Sequence, residues 1–91
     1  MMLFGKTILV TGVASGIGRR TAELAAQMGA EVIGIDLVKP EHIVGRFIEA
    51  DISSQAGVDK VIAQLPDEID ALCNVAGVSG QSGAAITLAI N

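Results

Sequence analysis

Thr7-Ile8-Leu9-Val10 is an unbroken apolar run, mostly β-branched, the pattern of a parallel strand buried on both faces. Directly after it come Gly12, Gly16 and Gly18, then Ala22, Ala25 and Met28 at helical spacing, then Gly29, placed to end a helix. A strand that turns through glycine into a helix leaves few architectures open, because the helix must fold back across the sheet to which the strand belongs. The glycines also have a chemical reading. Gly12 permits a tight turn off the strand, Gly16 allows a ligand to approach the backbone, and Gly18 lets the helix pack close to the sheet. The first-turn amides around Gly16, Ile17 and Gly18 have no partner within the helix. They lie at the positive end of its dipole, a receptor for an anion such as a pyrophosphate.

The spacing is Gly-x3-Gly-x-Gly rather than Gly-x-Gly-x2-Gly, so the triplet alone also fits a turn that is merely packed tightly against a sheet. A second apolar run, Glu31-Val32-Ile33-Gly34-Ile35, ends at Asp36. That acid lies 18 residues past Gly18 (36 − 18), near the ~20-residue offset of the carboxylate that binds the adenine-side ribose of a dinucleotide. An ordinary loop acid at a strand end fits the same position. A carboxylate there favours NAD over NADP, because it would repel a 2′-phosphate. The positions where a basic side chain would reverse that preference hold Ser15 and Leu37.

The rest of the chain keeps alternating. Strands are expected over about 6–11, 31–35, 46–50 and 69–75, and helices over 16–28 and 54–65. In the second helix Val58, Val61, Ile62 and Leu65 form an apolar stripe, with Ser53 or Ser54 as N-cap and Pro66 as terminator. The segment between the second and third strands reads as a short loop or a helical turn, and Pro40 fits the first turn of any short helix over 40–44. Alternating strand and helix predicts an α/β fold, a Rossmann-type doubly wound parallel sheet, within one domain spanning 1–91.

Composition narrows the partners. No stretch approaches the ~18 consecutive apolar residues of a membrane span, and a net charge of −4 gives no basic footprint for nucleic acid. The single cysteine, Cys73, excludes an internal disulfide and suits a reducing, cytoplasmic setting. Hydrophobic residues make up 51% of a short chain, more apolar surface than a domain of this size readily buries, so a covering partner is expected. His42, the only histidine, sits in a polar connection and reads as a solvated side chain.

In four segments the chain resembles the short-chain dehydrogenase/reductase family. Thr11-Gly12-x3-Gly16-Ile17-Gly18 resembles its cofactor motif, Asp51-Ile52 its adenine-contacting pair, and Asn74-Val75-Ala76-Gly77 its Asn-Asn-Ala-Gly motif with Val in place of the second Asn. Ala84–Asn91 is similar to the helical stretch carrying the family's catalytic Asn, which would be Asn91. The resemblance implies strand order 3-2-1-4 for the segments present, a nicotinamide dinucleotide as cofactor, a small alcohol or ketone as substrate, and a homo-oligomer in the complete protein. Asn74 and the Ala76–Gly77 backbone would line the cofactor groove. Only 15 positions separate Asp36 from Asp51 (51 − 36), a compact connection similar to that of 3α-hydroxysteroid and coniferyl-alcohol dehydrogenases.

Hydride transfer to or from a carbinol carbon also needs a group to move the hydroxyl proton. In the family that group is a Tyr followed four residues later by Lys, and this sequence contains no tyrosine. The 91 residues are therefore expected to bind cofactor and to be inactive alone, as the N-terminal part of a longer enzyme. In that case the strand at 69–75 would present a bare apolar edge. Two other readings stay open. One is a non-catalytic nucleotide- or partner-binding chain. The other is part of an S-adenosylmethionine-dependent methyltransferase, whose glycine loop fits Thr11-Gly12-x3-Gly16 poorly.

Overall fold

The computed structural model describes residues 2–75 and the backbone of 87–90. The elements run β1 (Thr7–Thr11), α1 (Gly16–Gln27), β2 (Glu31–Asp36), β3 (Arg46–Glu49), α2 (Gln55–Gln64), β4 (Ala71–Asn74) and β5 (Thr87–Ile90). They form one sheet in the order β3-β2-β1-β4-β5. The pairs β1–β2, β1–β4 and β2–β3 are parallel, the order expected of a doubly wound sheet.

Side-chain alternation along the strands builds two cores. Ile8, Val10 and Val32 face Ala22 and Ala25 of α1, while Leu9, Ile33, Ile35 and Ile48 face Val61 of α2. The two helices thus cover opposite faces. Small side chains on α1 let it lie close, and at Gly18 the contact is closest. A Cβ there would fall 1.9 Å from the Gly12 carbonyl oxygen, so the third glycine of the turn is fixed by backbone packing. Gly34 on β2 makes room for Val13, whose Cγ1 lies 2.6 Å from where a Cβ would stand. Asp70 sets the other end of the β1–β4 pair. Its Oδ2 accepts from the Thr7 amide at 2.7 Å, while its own amide donates to the Thr7 carbonyl at 2.9 Å.

The structure decides two open alternatives and corrects two expectations. The connection over 37–45 contains bends and no helical turn, so Pro40 does not open a helix. Pro40 is buried, and Gly45 (φ +72°) brings the chain tightly against the Val32 carbonyl, so nine residues suffice to carry β2 into β3. In α2, Ser54 is the N-cap rather than Ser53, and Ile62 is 62% exposed. Only Val61 of the expected stripe is fully buried, against Leu9, Ile33, Ile35 and Ile48, while Val58 and Leu65 are half-buried. Finally, Thr87–Ile90 is not helical. It pairs antiparallel with β4, in register Asn74↔Thr87 to Ala71↔Ile90. The β4 edge away from β1 carries ladder donors and acceptors that need partners, and a β-branched segment within reach supplies them.

Gly57 repeats the role of Gly18 in the second crossover: a Cβ would stand 1.7 Å from the Asp51 carbonyl oxygen. Gly57→Ala should therefore lift α2 off the sheet and cost about 2–3 kcal/mol of unfolding free energy, whereas Ile62→Ala should stay within about 0.5 kcal/mol of wild type. Denaturant titration of both variants checks the contrast; equal losses would contradict it.

Candidate functional site

The parallel strands end together at one edge of the sheet, and the crossovers on either side of β1 leave to opposite faces. Between them lies a crevice of about 540 Å³ at the carboxyl ends of β1, β2, β3 and β4. This is the topological switch point where open α/β sheets take their ligands. Gly12 and Ser15 form one wall, Asp36 and Leu37 a second, Asp51, Ile52 and Ser53 a third, and Asn74 with Val75 the floor.

The glycine turn is best described by where its amides go. Gly12 has φ +74°, a conformation natural to glycine, and donates to the Ile35 carbonyl at 2.8 Å. Val13 reaches the same carbonyl at 3.4 Å, Ala14 donates to Asp36 Oδ2 at 2.9 Å, and Ser15 donates to the Gly12 carbonyl at 3.1 Å. Ser15 then caps α1. Its hydroxyl donates to the Gly12 carbonyl at 2.7 Å and accepts from the Gly18 amide at 3.4 Å. Arg19 begins the helical ladder by donating to the Ser15 carbonyl. What remains are the amides of Gly16 and Ile17, which have no acceptor among the described residues. Gly16 is exposed, and a Cβ built on it would meet nothing within 4 Å. Among the described residues, packing therefore gives no reason for glycine at 16.

The sheet floor is tied by Thr11, which is 5% exposed. Its hydroxyl donates to Asn74 Oδ1 at 2.7 Å and accepts from the buried Val75 amide at 3.0 Å. Asn74 thus joins β4 to β1 and lines the crevice at once. On the third wall, Asp51 Oδ1 accepts from both the hydroxyl and the amide of Ser53. These bonds hold the Asp51 carboxyl below the ordinary aspartate range and leave Oδ2 for an outside donor. Cys73 is half-buried in β4, where burial pushes its thiol pKa up, the behaviour of a packing residue. His42 is exposed.

The fold therefore gathers Gly12, Ser15, Asp36, Leu37, Asp51, Ile52 and Asn74 around one crevice, with the free amides of Gly16 and Ile17 beside Ser15 and Gly18 locked beneath them. Ala76, Gly77 and Asn91 lie outside the described residues. Sequence reasoning missed Ile35, Ala50, Ser53 and Val75 as lining residues, and missed the Ala14–Asp36 bond. Ser53 was legible as the third residue of an Asp-x-Ser turn; the Ala14 bond joins residues 22 apart and had no local signal.

The short chain dehydrogenase family model matches residues 6–89. The chain is 46% identical over its full length to a coniferyl-alcohol dehydrogenase of a Pseudomonas species, covering 36% of that protein. Among solved structures, ligand-free aldohexose dehydrogenase of Thermoplasma acidophilum superposes with a TM-score of 0.75 at 31% identity, over 82% of this chain and 31% of that one. The 3-alpha-hydroxysteroid dehydrogenase of Pseudomonas sp. B-0831, complexed with NADH, gives 0.66 at 39% identity, over 80% of this chain and 31% of that one. A Rossmann-type sheet whose first crossover turns through this glycine motif, together with these matches, places the chain in the short-chain dehydrogenase family. It spans about a third of the length of the coniferyl-alcohol dehydrogenase it matches.

Two outcomes test the site's scaffolding. Thr11→Val keeps the shape but strands the Val75 amide and Asn74 Oδ1, and should cost about 1–3 kcal/mol in denaturant unfolding; an unchanged midpoint would show the latch to be idle. Because the Asp51 pKa is lowered on folding, its contribution is present in full above the ordinary aspartate pKa and fades as pH falls through the lowered value. Ser53→Ala should move the Asp51 titration, followed by NMR, up toward the ordinary range. A titration that stays put would remove the hydroxyl as its cause.

Proposed function

We propose that the crevice holds the adenosine diphosphate half of a nicotinamide dinucleotide, NAD in preference to NADP. In this reading the chain supplies the cofactor-binding part of an oxidoreductase acting on a secondary alcohol and its ketone. The observation that carries this is the pair of amides at Gly16 and Ile17 that have no acceptor among the described residues, at a glycine whose side of the turn is open. They are the groups a diphosphate would use, at the positive end of α1.

Asp36 stands at the carboxyl end of β2, where the lone pairs not taken by protein amides would accept from the free hydroxyls of the adenine-side ribose. Its charge disfavours a 2′-phosphate at the same place. The cation nearest the glycine turn in sequence, Arg19, pairs its Nε with Glu23 one helical turn along α1 at 3.3 Å, which offsets part of its charge. Leu37, 60% exposed, and Ile52 are the apolar surfaces that would flank an adenine ring, with Asp51 Oδ2 available to its amino group. Asn74 would line the groove, continued by Ala76 and Gly77; Asn91 is carried over to the catalytic asparagine by sequence resemblance alone, since Thr87–Ile90 before it forms a strand rather than the expected helix. When bound, the nicotinamide supplies hydride chemistry. The 91 residues contain no tyrosine, so the proton partner is assigned elsewhere and this chain alone is expected to be inactive. The compact passage from Asp36 to Asp51 and the 46% identity to a coniferyl-alcohol dehydrogenase support an aryl alcohol or hydroxysteroid as substrate.

Calorimetry with NAD, NADP and S-adenosylmethionine tests the reading: NAD should bind most tightly and S-adenosylmethionine not at all. Asp36→Ala should lower the NAD-over-NADP preference of the intact protein by about tenfold. An unmoved ratio would take selectivity away from Asp36, and binding of S-adenosylmethionine alone would replace the oxidoreductase reading with a methyltransferase.

A further inference from the structure

Of the four amides between β1 and α1, three find carbonyl partners and one does not. Gly12 and Val13 share the Ile35 carbonyl, and Ser15 uses that of Gly12. Ala14, on the exposed outer part of the turn, depends on a side chain: its amide donates to Asp36 Oδ2 at 2.9 Å. The other oxygen, Oδ1, accepts from the Val38 amide at 3.3 Å. One carboxylate therefore links two backbone walls of the crevice, the glycine turn and the segment that carries Leu37.

We propose that Asp36 is a positioning residue for the glycine turn, holding the Ala14 peptide so that the amides of Gly16 and Ile17, two and three residues on, keep their place beside Ser15 at the crevice. The inference rests on the dinucleotide reading of that crevice and adds to it. Part of the affinity lost with Asp36 passes through the diphosphate site rather than through the ribose. Each carboxylate oxygen has two lone pairs, so the tether and a bound ribose do not compete for the same ones. The bond is charge-assisted, and the neighbouring Gly12, Val13 and Ser15 amides are held independently of it by the Ile35 and Gly12 carbonyls.

Two substitutions separate the tether from the charge. Asp36→Asn removes the negative charge and keeps an oxygen to accept from Ala14; Asp36→Ala removes both. Inorganic pyrophosphate is the probe, because it has no ribose. Were charge the whole effect, both variants would bind pyrophosphate equally and more tightly than wild type. With a tether, the Ala variant of the intact protein should bind pyrophosphate about three- to tenfold more weakly than the Asn variant by calorimetry. Amide exchange without ligand, followed by NMR, should be about tenfold faster at Ala14 in the Ala variant than in the Asn variant, with exchange in β1 and β2 unchanged. Equal pyrophosphate affinities in the two variants, or faster exchange spread evenly through both strands, would overturn the proposal. If pyrophosphate binds none of the three proteins, the dinucleotide reading fails by itself. Exchange then decides the tether: it stands if Ala14 alone differs and falls if the variants match.

Discussion

A backbone that leaves a strand and enters a helix within a few residues must find acceptors for every amide on the way, and this requirement organises the candidate site. The chain meets it with the Ile35 and Gly12 carbonyls, the Asp36 carboxylate and the Ser15 hydroxyl. Satisfied amides hold the turn in one shape. The two left without an acceptor among the described residues, at Gly16 and Ile17, follow a turn whose other amides are all bonded. Gly12 supplies the left-handed conformation the turn needs, and Gly18 the close contact that anchors its far side.

The same construction appears twice. Ser15 caps α1 and Ser54 caps α2. In each case the serine amide and hydroxyl donate to the carbonyl three residues earlier, and a glycine amide three residues later donates to the hydroxyl. In each case that glycine lies against the same carbonyl, so that a Cβ would collide with it. The two turns differ where function would require it. The first begins with Gly12 at positive φ and has Gly16 after its cap, leaving its outer side bare; the second begins with Asp51 and has Gln55 there. In the proposed reading the first turn takes the anion. The Asp51 carboxylate, held ionised by Ser53, would repel one at the second and suits a neutral donor.

Local pattern carried most of the fold. The switch from a two-face apolar run to helical spacing located β1 and α1, and the Asp36 offset located the end of β2 and the second wall of the crevice. What stayed hidden depends on distance in sequence or on competition between edges. The Ala14–Asp36 and Thr11–Asn74 bonds join residues that no periodicity connects. Thr87–Ile90 has residues that suit a strand as well as a helix, and the free ladder of β4 decides between them. Ile62 belongs to an apolar stripe by spacing, yet burial depends on how much sheet lies beneath α2, which spacing does not report.

The account is tested most directly by a crystal structure of the intact protein with NAD bound. The diphosphate oxygens should lie within hydrogen-bond distance of the Gly16 and Ile17 amides, with Asp36 still holding Ala14 while it faces the adenine-side ribose. A cofactor whose diphosphate sits away from those amides, or a turn that has to release Asp36 to admit it, would contradict the account.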